Sequence, residues 1–535
     1  MLTMPERPVD EHWLDRYADA GVQLRWLDDG EPLLPAGVNT GVRVYRALAA
    51  GPTFDAVVLQ DWKGFGWACA QAKAAGIAFG ATTLVHSVHG PTEWVLEAAR
   101  DPRLTGGHVV LGLAEQTSAE LCDVVVSPSH ALIDWMTEHS WTLGDARVIA
   151  RFTDRHAAAS PAPRTPIPEC PLEEIVFFGR FHESKGVRLL IDALSALGPD
   201  AVRGLRLTFL GRAATYDADG LSGLLDPAIV DALAEVSYIT HLDQPEAIAY
   251  LREGGRLVVV ASYMENAPNV VAECVDYGIP LLLTRGRGVD EAIAVDDSDR
   301  LCFEPTVASL AAALAPHVHA RVLPAPARPS EHADPAAEWQ RLLSMKPAVA
   351  GVARTDDRDG LLQAVLQHTG ADAVSCAVRF PEGERYYFAR GLELAGHTPM
   401  LGGPGTVWRD GVVDELGGYD DELGPRYRDA ELLARLVARG GHLVAVPEVL
   451  ASCDHDMRAE PRYQLAVQRT LRTLVDAKLA RWPAVITGQR AATLDANERA
   501  QRLKEELADT KRHAVHFLDL AVQATKDANQ NAEQS

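Results

Sequence analysis

Between Asp55 and Ser129 three apolar runs, DAVVLQ, FGATTLVH and DVVVSPS, are separated by stretches with helical spacing. Short runs rich in Val and Leu predict buried strands, and their alternation with helices predicts an α/β domain. Ahead of them, PVDEHWLDRYADAGVQLRWL (Pro8 to Leu27) reads as a helix followed by a strand. Further on, EEIVFFGRFHESKG (Glu173 to Gly186) is a buried strand ending at Gly179, then Arg180, Lys185 and a second glycine that opens a helix. In SYMENAPNVVAECVDYGIP (Ser262 to Pro280), Pro268 suits the first turn of a helix, and Gly278 with Pro280 suits its end. From about Pro461 to Ser535 the composition is helical. There Ala500, Leu503, Leu507, Thr510, Ala514, Phe517, Ala521 and Ala524 form a heptad seam, which predicts a helix packed on its own chain or a homo-oligomer built through it.

These boundaries place Glu265 in the loop before a short helix and Glu273 inside it. Eight residues of helix rise about 12 Å at most. That span suits a nucleotide sugar laid along the helix N-terminus, its glycosyl group at one carboxylate and its ribose at the other. The first amides, near Asn269 and Val270, then face the diphosphate with the positive end of the dipole. Two acids on an isolated amphipathic helix are ordinarily just solvated. The earlier segment changes that reading, because a strand, a glycine turn and basic residues at the carboxyl end of a parallel sheet form the usual crevice for phosphorylated ligands. Only eight of the 51 basic residues are lysines, so Lys185 is not compositional drift.

With both segments in view, the chain resembles the retaining GT-B glycosyltransferases of family 4, the glycosyl transferases group 1 proteins. Glu265 and Glu273 match the family's two glutamates, and Gly179, Arg180, Lys185 and Gly186 match its Gly-Arg-x-x-x-x-Lys-Gly element. LRLTFLGRAATY resembles the next strand and its glycine turn at Gly211. VSYITHLDQPEAIAYL resembles the strand whose end, Ile239 to Leu242, lies alongside the nucleobase, and YGIPLLLTRGRGVDEAI carries Gly286 and Gly288 in a later loop. The resemblance covers residues 173 to 293. It implies two Rossmann-like domains and a nucleoside diphosphate sugar as donor substrate. Arg180 and Lys185 are implied at the diphosphate, Glu265 at the donor sugar and Glu273 at the ribose. No cofactor is required, and no metal is implied for this half.

The same resemblance extends, more sparsely, to the first domain. LVHSVHG resembles the strand ending in an active-site histidine, with His89 the candidate and His86 the fallback. In SAELCDVVVSPSH, Ser129 is expected as a structural cap, and Ser127 is no nucleophile, because nothing nearby resembles a nucleophile elbow. Family members open with a strand and a glycine-rich loop that approaches the donor phosphates. Here the opening segment resembles a helix and strand from later in that domain, and GVNTG (Gly37 to Gly41) has the glycines without a preceding strand. The N-terminal domain is therefore expected to be shortened, unless the start is misplaced or a partner supplies the missing unit.

Residues 347 to 458 carry a second resemblance, to the latter half of GT-A family 2 glycosyltransferases. A Gly-Gly-Tyr-Asp segment at Gly417 leads to RYRDAEL, where Asp429 holds the position of the catalytic base and Arg428 replaces the expected acid. Asp357 and Asp359 in TDDRDG stand where a metal-binding Asp-x-Asp would lie. The nucleotide-binding first half of that fold does not fit before Asp356, so a segment used for packing or for holding an acceptor is expected.

Punctuation completes the organisation. The Pro/Ala stretch His156 to Pro171 falls at the hinge of a GT-B enzyme, and Leu323 to Pro335 precedes AAEWQRLLSM, which suits a helix crossing back to the first domain. The expected domains are residues 1–160, 161–346, 347–460 and a helical tail, 461–535. A net charge of −23 disfavours nucleic acid or anionic membranes as partners. Seven scattered cysteines without C-x-x-C disfavour a disulfide framework and a zinc site. Mean hydropathy is −0.07, no apolar run is long enough for a membrane span and no signal peptide opens the chain, so a cytoplasmic protein is expected. The expected activity is glycosyl transfer to a hydroxyl acceptor. Its rivals are a non-catalytic nucleotide-sugar-binding subunit and an epimerase on the same fold, the latter needing acid–base carboxylates not found in the first domain.

Overall fold

A computed structural model describes residues 11–27, 39–99, 106–152, 170–331, 333–347, 357–381, 383–387, 405–424 and 427–453, together with 2–3, 33–34, 352, 465 and 469. The tail, with its heptad seam, and Gly37 lie outside the described residues.

The three apolar runs of the first domain become β1 (Ala56–Gln60), β2 (Thr83–Ser87) and β3 (Val124–Ser127), and a further strand, β4 (Asp145–Val148), completes four parallel strands in sequential order. The second domain holds six parallel strands: β5 (Glu174–Phe178), β6 (Arg206–Leu210), β7 (Glu235–Ile239), β8 (Arg256–Val260), β9 (Leu281–Thr284) and β10 (Cys302–Phe303). Their order across the sheet is β7-β6-β5-β8-β9-β10. β5 and β8 are fully apolar on both faces near their centres, as a strand covered by helices must be. This order reverses direction between β5 and β8, the switch point at which a parallel sheet places its ligand crevice. Two such α/β units with parallel sheets are the GT-B arrangement expected from the sequence.

The helix Pro335–Leu343 returns to the first domain. Leu342 is fully buried against Val85, Val124, Val126 and Ile149, and the Thr83 hydroxyl donates to the Met345 carbonyl at 2.8 Å. Residues 357–453 add the helix Arg358–Thr369 and the strands Ala373–Phe380 and Leu443–Ser452, which pair in parallel. One face closes within the segment, with Ala373, Val412, Leu432 and Leu443 in one cluster, and the other does not. Val365, Val374, Val378 and Val446 share one buried cluster with Val42, Trp67, Ala70 and Leu84 of the first domain. Among the described residues no helix is long and apolar enough to cross a membrane.

Candidate functional site

The loops leaving β5 and β8 carry the two segments singled out in the sequence, and the fold brings them together. After β5 the chain turns at Gly179 and passes Arg180. It then makes one tight turn, Glu183–Lys185, before the helix Val187–Leu197. The loop after β8 is tied to this turn by the Tyr263 amide, which donates to the Ser184 carbonyl at 3.0 Å. The Lys185 ammonium thereby closes on the Glu265 carboxylate, and the same Oε1 accepts from the Ser262 hydroxyl at 2.9 Å. Both side chains are largely covered, 21% and 13% exposed, so their charges face a low-dielectric setting rather than bulk water. Arg180, by contrast, is exposed, and its side chain makes no hydrogen bond or ion pair among the described residues.

The helix after Glu265 runs Asn269–Tyr277 and ends at Gly278, whose positive φ makes the C-terminal turn. Pro268 differs from its expected place in the first turn: it is the N-cap, with ψ at 130°. Proline's fixed φ is compatible with either position, and the extended ψ lets the preceding loop drop into the crevice. No side chain caps this helix, so Asn269 and Val270 begin it with their amides toward the loop. Glu273 lies one turn further on, where it accepts from the Gln244 side chain at 2.8 Å. Leu242 is partly buried at the far end of β7, against the core of the second domain.

Gly211 and Gly288 are among the glycines required by close approach. Gly211 ends β6 with φ 148°, and a Cβ there would lie 2.0 Å from the Gly179 carbonyl oxygen. Gly288 has φ 77°, and a Cβ there would meet the Glu265 carbonyl oxygen at 2.1 Å, the same backbone whose amide donates to the Arg287 carbonyl at 3.0 Å. Ala267 and Arg287 also adopt positive φ, 52° each, so the backbone around Glu265 stores strain on both sides.

The first domain presents its own strand ends. His89 follows β2, and its amide, with that of Gly90, donates to the Asp61 carboxylate at 2.8 Å. Desolvation lowers the His89 pKa; Asp61 pulls it up and the Arg151 guanidinium pushes it down again. Burial raises the Asp61 carboxyl in turn. His86 is completely buried, has no hydrogen-bond partner on either ring nitrogen and is driven down to about 3, so it is a neutral core group behind the crevice. Ser129 caps the helix His130–Glu138 by accepting from the Leu132 amide.

Ser129 does more than cap. Its hydroxyl donates to Asn266 Oδ1 at 2.6 Å, Ser127 donates to the same oxygen at 3.3 Å, and Asn266 Nδ2 donates to the Val88 carbonyl at 3.1 Å. Asn266 is therefore a buried pin from the Glu265 loop into the first domain. Beside it, Met264 joins Val88, Trp94 and Trp135 in one apolar cluster. The Glu291 carboxylate accepts from the His130 and Ala131 amides at 2.7 and 2.8 Å, capping a first-domain helix from the second domain. Arg151, which follows β4, donates to the Asn269 side chain at 3.1 Å and to the Asn266 carbonyl at 3.0 Å. Sequence reasoning missed Asn266 and Arg151. Their partners lie more than a hundred residues away, and no local pattern marks a contact that depends on how two domains sit together.

The remaining candidates lie elsewhere. Asp357 is the N-cap of the helix Arg358–Thr369, accepting from the Gly360 amide at 3.0 Å, and Asp359 pairs with Arg358. Asp429 accepts from the Trp408 indole at 3.3 Å, and its pKa is raised by burial. Arg428 stacks on the Tyr419 ring. Among the described residues no group of three or more His, Cys, Asp or Glu is placed to hold a metal ion. A cavity of about 520 Å³ opens beside Glu183, Arg188, Tyr263 and Thr306 and is lined by none of the candidate residues.

Residues 173–318 match the family model described as Glycosyl transferases group 1. That range begins one residue before β5 and contains Gly179, Arg180, Lys185, Glu265 and Glu273. Among solved structures, sucrose-phosphate synthase from Thermosynechococcus elongatus is similar over 64% of this chain and 80% of its own, at 19% identity and a TM-score of 0.42. The C-terminal domain of a glycosyl transferase group 1 family protein from Francisella tularensis is similar over 26% of this chain and 73% of its own, at 24% identity and a TM-score of 0.23. The α,α-trehalose 6-phosphate synthase from Burkholderia multivorans is similar over 62% and 76%, at 14% identity and a TM-score of 0.37. No curated protein matches the chain.

Proposed function

We propose that the protein is a retaining glycosyltransferase of family 4 type, moving a sugar from a nucleoside diphosphate sugar to an acceptor hydroxyl. The observation that carries this reading is the meeting of Lys185 and Glu265 at the switch point of a parallel sheet, beside an uncapped helix N-terminus. The difficult events in such a transfer are departure of the diphosphate and development of positive charge on the sugar. Lys185 and Arg180 neutralise the leaving diphosphate, and the amides at Asn269 and Val270 add the field of the helix. Glu265 accepts hydrogen bonds from donor-sugar hydroxyls, and Glu273, one face further along the helix, takes the ribose. His89, across the crevice, orients the acceptor, whose oxygen attacks on the face the diphosphate leaves. Losing one such charge contact costs about 3 kcal/mol of transition-state stabilisation, a rate effect of about 10²-fold. The segment 357–453 serves as packing for the first domain, which its shared core supports.

Calorimetric titration of the full chain with a panel of nucleoside diphosphates, followed by a donor-hydrolysis assay, tests this. A transferase binds at least one diphosphate and releases sugar from the corresponding donor. Binding without release leaves the non-catalytic subunit; no binding of any diphosphate ends the reading.

A further inference from the structure

We propose that Arg151 is a further donor-binding residue: its guanidinium exchanges the Asn269 side chain and the Asn266 carbonyl for phosphate oxygens of a nucleoside diphosphate, so the first domain grips the group that Lys185 and Arg180 hold from the second. This rests on the donor site proposed above.

The guanidinium is placed where a cation gains least from the protein. Its two hydrogen bonds go to neutral amide oxygens, and its Nε is buried without an acceptor. Among the described residues no carboxylate bonds it. Glu265 attracts it through space, but that carboxylate is already engaged by Lys185 and Ser262. It also stands at the N-terminus of the helix Asn269–Tyr277, the positive end of that dipole, and its charge is felt at the His89 ring. A part-buried cation at the positive end of a helix, bonded only to neutral oxygens, is unfavourable by itself. One anion entering between Arg151, Lys185 and the helix amides reverses all of these terms at once. Guanidinium is also the group whose planar fork matches phosphate oxygens in pairs.

The experiment titrates the wild-type chain, R151Q and R151K with uridine, guanosine and adenosine diphosphates and with the corresponding uncharged nucleosides, and records melting temperatures without ligand. For the diphosphate that wild type binds, R151Q is expected to bind it about 10- to 100-fold more weakly and R151K to recover part of the loss, with nucleoside binding unchanged. The unliganded melting temperature of R151Q is expected not to fall, because no directly bonded carboxylate is lost and a part-buried charge has been removed. Equal diphosphate binding by wild type and R151Q overturns this inference and leaves the donor site standing. So does a parallel loss of diphosphate and nucleoside binding, or a drop in unliganded melting temperature, since either makes Arg151 a structural tie. If wild type binds no diphosphate, the donor site and this inference fall together.

Discussion

Lys185 and Glu265 are 80 residues apart in the chain, yet the ammonium of one closes on the carboxylate of the other across the gap between β5 and β8. Each side chain is held by its own loop, and the backbone bond from Tyr263 to Ser184 fixes the two loops to each other. The pair is thus a built feature of the crevice rather than a chance surface contact.

Separating the two charges separates binding from turnover. On the proposed reading, Glu265→Ala leaves Lys185 free to hold the diphosphate but removes the acceptor for the sugar hydroxyls. Transfer is expected to fall by 10²-fold or more while a nucleoside diphosphate still binds; Lys185→Ala is expected to weaken both. Calorimetry and initial rates on the two variants check this, and unchanged turnover in the double variant would falsify the site.

Gly288 sets the position of Glu265 through its backbone. A methyl group at 2.1 Å from the Glu265 carbonyl oxygen cannot be accommodated without moving that loop, and the φ of 77° already excludes an unstrained side chain. Gly288→Ala is expected to reduce transfer by about 10²-fold, since an ångström of misplacement near reacting groups costs that much. The observation that counts against this is wild-type kcat together with a normal KM.

The Asn266 pin makes a stability prediction that does not depend on function. Asn266→Ala leaves the Val88 carbonyl without its donor and the Ser127 and Ser129 hydroxyls without their acceptor in a buried interface. The expected loss is about 1–3 kcal/mol, read from chemical denaturation. Asn266→Asp is expected to be worse, because it adds a buried charge facing a carbonyl.

Two buried groups in the first domain set opposite pH dependences. Glu115 accepts from the Thr92 amide and hydroxyl at 2.7 and 2.8 Å, and burial lifts its pKa from 4.5 to about 8. Its contribution is therefore complete below pH 4.5 and is lost as pH rises to about 8, at about 1.4 kcal/mol per pH unit. His86 is lowered from 6.5 to about 3, so its contribution is complete above 6.5 and is lost as pH falls toward 3. Where the windows overlap, from 4.5 to 6.5, the two slopes cancel; from 6.5 to about 8 stability is expected to fall. Glu115→Gln is expected to reduce that fall, part of which remains with the buried Asp61 carboxyl, whose pKa is also raised. Urea denaturation across this range decides the matter, and an unchanged slope in the variant would show that Glu115 is not the group responsible.

Much of this architecture is legible in the chain because it follows from local sterics. Glu174 to Phe178 can only be a covered strand, Gly278 can end a helix where few residues can, and Gly211 is needed because a backbone passes within contact of it. What escapes such reading depends on how separate units face each other. Asn266 and Arg151 are ordinary polar residues by pattern, and only the docked domains give them partners. Residues 361 to 451 show the same limit: their apolar positions are visible as core, but nothing in their spacing says that Trp67 and Val42 lie on the other side of it. The second resemblance drew attention to Asp429 by motif, whereas its bond to Trp408 ties it to the packing around its own helix.

That shared cluster has a bearing on how the molecule is made. The domain spanning Leu172 to Ala327 owns its own apolar interior and can consolidate once that length has emerged from the ribosome. The lobe translated before it must wait, since the side chains that seal Trp67 and Leu84 arrive more than two hundred residues later. Biogenesis therefore runs out of register with the gene: the middle sets first, and the beginning is finished by the end.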